Sequence, residues 1–399
     1  MTEYTVIHDA GELLKLTESG VDRIEDGAVA ISEGSIVASG SSDDVTREFP
    51  AENAAGAINA SGKVVLPGFV DSHTHAVFSG DRSGEFTAKL EGKSYQEIRN
   101  EGGGILRTVE AVREASTTEL VKGLLARLDQ MLAHGTTTAE VKSGYGLSVE
   151  AERKLLEAID EAASRHPIDV VPTFMGAHDV PEGFSTDEYV DEVIETQLPA
   201  VDDLAEFCDV FCEAGVFTTE QSRRVLEAGA DAGLTPKIHA EEFERIGGAQ
   251  LAADIGAASA DHLLQATAED ADALAAADVT PVLLPGTAFT LDTEYADPTL
   301  FDEVAIATDF NPNCHSMSME FAVDLACHGM RMVPDQALRS ATAVAAQALN
   351  RTDGTGTLQV GAPGDVIISS VSSVDEIPYN FGISTIEAVL KDGEVVYHD

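Results

Sequence analysis

The chain has 399 residues, 44% of them apolar, which suits one large domain with a small one and a sizeable core, and excludes a disordered or collagen-like chain. Seventy acidic residues stand against 24 Lys and Arg, a formal net charge of −46, which excludes nucleic acid and an anionic membrane as partners because phosphate binding needs Lys and Arg. No run approaches the roughly 18 apolar residues of a membrane helix. The start MTEYTVIHDAGELLKL lacks a secretory pattern, and four cysteines without a CxxC pair read as reduced thiols, so a cytoplasmic protein is expected.

The acid is spread along helical stretches such as 149–165 and 185–206, and lysine is scarce, at nine residues. Such self-repulsion opposes a compact state at low salt. At about 1 M salt the Debye length falls to roughly 3 Å and the penalty fades. The composition resembles that of proteins from salt-accumulating halophiles.

Residues 1–66 read as short β pieces. The stretch VAISEGSIVASG holds two β-rich runs joined by Glu33-Gly34, a hairpin signal. TGTLQVGAPGDVIISS and EAVLKDGEVVYHD near the far end have the same texture, with an Asp392-Gly393 turn. One small β-sandwich domain assembled from 1–66 and 356–399 is expected.

Between them, in 67–355, apolar runs recur at 64–75, 136–144, 170–178, 208–215, 236–242, 258–263, 281–286 and 304–310, separated by helical segments such as 149–166 and 220–233. Eight strands with helical crossovers predict an α/β fold, a parallel (β/α)8 TIM-type barrel. A doubly wound open sheet is the rival, but no GxGxxG follows a strand. His73, His75, Lys142, His178, Glu213, His239, His262 and Asp309 fall at strand ends, and active sites of this barrel form at the C-terminal strand ends.

In Asp71-Ser72-His73-Thr74-His75 the two histidines share a strand face. Neutral imidazoles so placed bind a divalent metal, and His239 and Asp309, ending the fifth and eighth strands, complete a set of three nitrogens and one oxygen. This set resembles the metal-dependent amidohydrolase superfamily over the whole chain. Glu213 lies near the fourth strand end, where two-metal members place a bridging group, but no lysine does, so one ion is expected, Zn2+ or Fe2+. Lys142 reads as a structural cation near that set.

The runs HTHAVFSGDRSGEF, SYQEI, GGGI, EVKSGYGL, GAHDVP, HAEEF, SADHL and TDFNPN resemble, in order, the imidazolonepropionase family. That resemblance implies the small-molecule substrate 4-imidazolone-5-propanoate, the product N-formimidoyl-L-glutamate and a homodimer. Arg82 is expected to hold the propanoate with its planar fork. Tyr95, Tyr145 and His178 are expected beside it. Glu242, which also binds the substrate by accepting ring N–H protons, and His262 are expected as acid/base or carbonyl-polarising groups, with Asp309 as metal ligand and possible proton shuttle. Asn311 is expected on the substrate. Asn313 and Cys314, which depart from the family's usual Gly then Ser or Thr, are placed at the substrate by their backbones.

Two other readings are open to the same residues. One is an aminohydrolase acting on a purine, pyrimidine or formimino compound with the same metal frame. The other is a barrel without catalysis that serves as a binding protein. An arginine just after HxH favours an anionic tail over a neutral base, and the complete His73, His75, His239, Asp309 set with His262 argues against a dead barrel.

Overall fold

The protein is described by a computed structural model over residues 3–17, 20–93, 97 and 103–399. Tyr95 lies outside the described residues. The chain opens with β1 (Tyr4–Thr17), β2 (Gly20–Ser32), β3 (Ser35–Ser41), β4 (Gly56–Asn59) and β5 (Val64–Pro67). It continues through β6 (Phe69–Asp71), β7 (Thr136–Lys142), β8 (Asp169–Ala177), β9 (Phe207–Cys212), β10 (Thr235–Ala240), β11 (Ser259–His262), β12 (Thr280–Leu283) and β13 (Ala305–Ile306). It ends with β14 (Val366–Ser369), β15 (Ile386–Lys391) and β16 (Glu394–His398).

The two ends of the chain make one mixed sheet in the order β16-β15-β14-β5-β1-β2-β3, with β4 beside β1. Its hairpins follow turn chemistry. Glu33 and Gly34 both take positive φ, as do Asp392 and Gly393, so each pair forms a two-residue turn of the hand that matches strand twist. Ile7, Leu13, Val29, Ile31, Ile36, Val65, Val366, Ile368 and Leu390 of this sheet bury one shared cluster.

β6 to β13 are parallel and adjacent in chain order. Helices cross over between them, several opened by capping boxes such as Ser116 with Glu119 and Thr218 with Gln221. Just past the strands the cylinder closes. The Asp309 amide donates to the His73 carbonyl at 3.1 Å, and the His75 amide to the Phe310 carbonyl at 2.9 Å. Edge pairing is thus complete where the HxH segment sits.

The run 64–75, expected as one barrel strand, is two. Val64–Pro67 pairs with β14 and β1 in the terminal sheet, and only Phe69–Asp71 enters the barrel. Gly68 makes the junction. A Cβ there would meet Thr137 Oγ1 at 2.1 Å, so the chain crosses from one sheet to the other only where the backbone is bare. The eighth strand is also shorter than its apolar run: it ends at Ile306, and the Thr308 amide donates to the Asp71 side chain at 3.0 Å rather than to a neighbouring strand's carbonyl. Among the described residues no helix is long and apolar enough to cross a membrane.

Candidate active site

Strand alternation puts His73 and His75 on one side just beyond β6, and both are buried. Burial, then the Lys142 charge, pushes the His73 pKa well below the usual histidine range; burial, then His178, does the same for His75. Both rings are neutral and offer lone pairs. β10 delivers His239 and the turn after β13 delivers Asp309. Asp309 Oδ1 lies 3.6 Å from His73 Nε2 and 3.8 Å from His75 Nε2, and His239 Nε2 lies 3.3 Å from His75 Nε2. The four side chains expected to ligate an ion therefore converge.

The remaining ring nitrogens explain which atoms face inward. His73 Nδ1 lies 2.6 Å from Asp261 Oδ2, and His239 Nδ1 lies 3.1 Å from Asp209 Oδ2. A carboxylate at Nδ1 fixes the proton there and leaves Nε2 as the donor atom, as second partners of metal-bound histidines do. His73 Nε2 is buried and accepts no hydrogen bond among the described residues. The Nε2 atoms of His75 and His239 lie 3.3 Å apart and so reach the same point in the pocket. The donor set therefore fits a divalent ion. A ring nitrogen of His262 also lies within 4.8 Å of donor atoms of His73 and His239, so it stands at the rim of the same set.

Asp309 is held from two sides. Thr287 donates its hydroxyl to Oδ2, and Asn311 Nδ2 donates to Oδ1 at 2.9 Å. Asn311 Nδ2 donates as well to the Asp309 carbonyl, and its Oδ1 accepts from the Asn313 and Cys314 amides. The Asn311 side chain is thus engaged within its own loop, which it shapes around Asp309. Asn313 Oδ1 accepts from Lys89 Nζ at 2.5 Å, tying this loop to the helix Ser83–Leu90. The Cys314 thiol packs against Thr290 and the Thr308 carbonyl, and burial pushes it up to about 12.

Glu242 follows β10 and is buried. Burial, then Asp309 and Glu213, raises its pKa well above the usual carboxylate value. Its Oε2 lies 3.7 Å from His262 Nε2, at the end of β11. His262 is neutral, lowered first by burial and then by His239, and its φ of 80° is left-handed, a strained backbone of the kind that clusters at functional sites. Glu213 does not face the ion set. It accepts from the Phe243 and Glu244 amides and so props up the loop that carries Glu242.

On the opposite wall the His178 ring stacks on His75 with centroids 4.9 Å apart, and Tyr145 lies 5.8 Å from His75 and 5.2 Å from His178. The Tyr145 loop is clamped. Glu152, wholly buried, accepts from the Gly144, Gly146 and Leu147 amides, while Arg113 donates to the Gly146 and Leu147 carbonyls. The Arg82 charge bears on the Tyr145 phenol, which burial keeps protonated. The Arg82 side chain is 8% exposed, and Glu85 Oε2 accepts from both its Nε (3.0 Å) and Nη2 (2.8 Å), which among the described residues leaves Nη1 for another acceptor.

Sequence reasoning missed Asp209, Asp261, Lys237, Glu140, Thr287, Glu85 and Glu152. The available signal was a charge inside an otherwise apolar strand, as at Asp209 in CDVFC and Lys237 in PKIHA. A closed eight-stranded parallel barrel with this three-histidine, one-aspartate pocket at its C-terminal mouth defines the amidohydrolases, a metal-dependent family.

Residues 297–397 match the amidohydrolase family model. The fold is similar to a triazine hydrolase variant (TM-score 0.78, 16% identity, 99% of this chain and 95% of that one) and to a 5-methylcytosine deaminase from Klebsiella pneumoniae (TM-score 0.75, 16% identity, 99% and 98%). The sequence is 60% identical to imidazolonepropionase of Haloarcula marismortui, across 98% of this chain and 95% of that protein. It is 60% identical to that of Halobacterium salinarum (98% and 97%) and 48% identical to that of Geobacillus kaustophilus (98% and 94%). The chain belongs to the imidazolonepropionase family, hydrolases that act on a cyclic amide C–N bond.

Proposed function

We propose that this enzyme adds water across the ring amide of 4-imidazolone-5-propanoate and releases N-formimidoyl-L-glutamate, a step in histidine breakdown. The observation that carries the reading is the convergence of His73, His75, His239 and Asp309 in one buried pocket, with Arg82 and Tyr145 beside it. A neutral base has no use for a buried guanidinium; a propanoate tail does.

His73, His75 and His239, through Nε2, and Asp309 would hold one divalent ion, Zn2+ or Fe2+. Such an ion supplies Lewis acidity, which polarises a carbonyl and makes water acidic near neutral pH. The protein does the rest. Arg82 and Tyr145 grip the carboxylate, and Asn311, Asn313 and Cys314 line the wall of the eighth strand end. His178, whose Nδ1 donates to the Gly144 carbonyl at 3.0 Å, accepts a ring N–H at Nε2. His262 donates to the carbonyl oxygen as negative charge grows there. Glu242 takes a proton from the attacking water and, with Asp309, returns it to the leaving ring nitrogen as the C–N bond breaks. Holding both ends of a small substrate contributes to the rate through orientation. The enzyme works in the cytoplasm as a homodimer, readings supported by family resemblance.

The experiment is to supply freshly made imidazolonepropanoate to purified protein in molar salt and follow formiminoglutamate. Product formation that stops on chelation and returns with Zn2+ or Fe2+ is expected. Ammonia release from a purine or pyrimidine without ring opening of the imidazolone would overturn the proposal.

A further inference from the structure

Lysine is scarce in this chain, nine of 399 residues, yet two lysines are wholly enclosed in the barrel. Lys142 Nζ lies 2.8 Å from Glu140 Oε2, 2.7 Å from Asp209 Oδ2 and 3.8 Å from Asp261 Oδ2. Lys237 Nζ lies 3.1 Å from Glu140 Oε2 and 3.9 Å from Asp261 Oδ2, and donates to the Ser72 carbonyl at 2.9 Å. Thr173 and Ser259 hydroxyls donate to Glu140 and Asp261, both at 2.6 Å. Barrel interiors of this kind are ordinarily filled by branched apolar side chains. Enclosing five charges costs several kcal/mol per ion before pairing, and apolar packing would do as well for stability alone. Stability therefore does not explain the ladder.

Its charge and its contacts do. Two lysines against three carboxylates leave one negative charge in excess. Asp309 makes the excess two, the charge of one divalent ion. Asp71, which accepts from Thr308, and Glu242, beside His262, are buried too but lie outside the ladder. The upper rungs, Asp209 and Asp261, are the carboxylates that meet His239 and His73 at Nδ1.

We infer that the ladder Lys142, Glu140, Lys237, Asp261 and Asp209 is the built-in counter-charge of the ion site. Its excess negative charge sets how tightly the three histidines and Asp309 hold a single dication. Asp209 and Asp261 are positioning residues that keep Nε2 of His239 and His73 turned to the ion. The inference rests on the metal reading of the site given above.

The test reads metal affinity rather than activity: the Zn2+ dissociation constant and stoichiometry of the stripped full-length protein in molar KCl, by competition with a chromogenic chelator. Asp261→Asn keeps an oxygen for the His73 N–H and removes one negative charge; Zn2+ binding weakens about 10–100-fold. Lys237→Met removes a positive charge and binds Zn2+ at least as tightly as the wild type. The double variant restores the balance and binds within about threefold of wild type, which also serves if one single variant fails to fold. Opposite signs are the mark of a charge role. If both single variants lose affinity alike, or Asp261→Asn binds as the wild type does, the inference falls while the metal reading stands. A wild type that binds no dication one to one would sink both.

Discussion

His178 donates from Nδ1 to the carbonyl of Gly144, 3.0 Å away, and this bond joins the end of the third barrel strand to the loop of the second. Gly144 has a φ of 95°, and a Cβ on it would meet the His178 ring nitrogen at 2.8 Å, so only glycine allows the approach. The bond leaves Nε2 as an acceptor. Burial, reinforced by His239, pushes His178 down to about 3, so it faces the substrate as a neutral ring.

The sign of the resulting pH dependence follows. The unfolded chain protonates this ring near 6.5 and the folded protein near 3. Between those values the unfolded state binds more protons, so stability rises with pH and is lost as pH falls from about 6.5 toward 3. In metal-stripped protein, Tm should drop between pH 7 and 4, with a shallower slope in His178→Gln. Equal slopes in calorimetry would mean that the ring is not held neutral.

His262→Ala should keep one ion per subunit and lose at least about a hundredfold in kcat, the usual worth of a positioned acid or base. Metal analysis alongside turnover separates this from ligand loss. If the ion leaves with the ring, the position of His262 beside the His73 and His239 donors makes it a ligand instead.

Arg82→Ala should raise KM for imidazolonepropanoate about 10–100-fold, as expected for a lost charge-assisted pair, and leave a tail-less imidazolone nearly unaffected. Glu85→Gln should act in the same direction with a smaller effect, because Glu85 orients the fork at Nε and Nη2. Equal KM changes for the two substrates would detach Arg82 from the carboxylate.

Carboxylates far outnumber cations, 70 against 24; on the helix Val149–Ala163, Arg153 and Arg165 pair with Glu157 and Glu161, while the exposed Asp160 lies beside them. Raising KCl from 0.2 to 3 M should therefore lift Tm by roughly 5–10 °C, as screening removes a few kcal/mol of repulsion. Activity should decay on dialysis to low salt and return when salt is restored. A flat Tm across that range would show that the surface charge is not a liability.

Much of the barrel was readable before any coordinates, because its strands are covered on both faces and appear as unbroken apolar runs. The positions of His73, His75, His239, His262 and Asp309 were readable for the same reason: a polar residue closing such a run marks the C-terminal mouth. The split at Gly68 was not. Val64–Pro67 and Phe69–Asp71 are equally apolar, and only the bare approach to Thr137 tells them apart.

Periodicity, strand-end chemistry and charge composition alone therefore determined the barrel, the residues that ring its mouth and the large excess of acid, because each is written in residue type and local order. The tertiary structure alone decided that Asp209 and Asp261 back His239 and His73, that Glu152 and Arg113 clamp the Tyr145 loop, and that Asn311 is engaged with Asp309. Asn311 and Asp309 are two positions apart in one loop, but most of the other pairings join separate strands and loops, His73 and Asp261 more than a hundred positions apart in the chain. Local sequence carries no record of which buried donor will meet which buried acceptor once the cylinder closes.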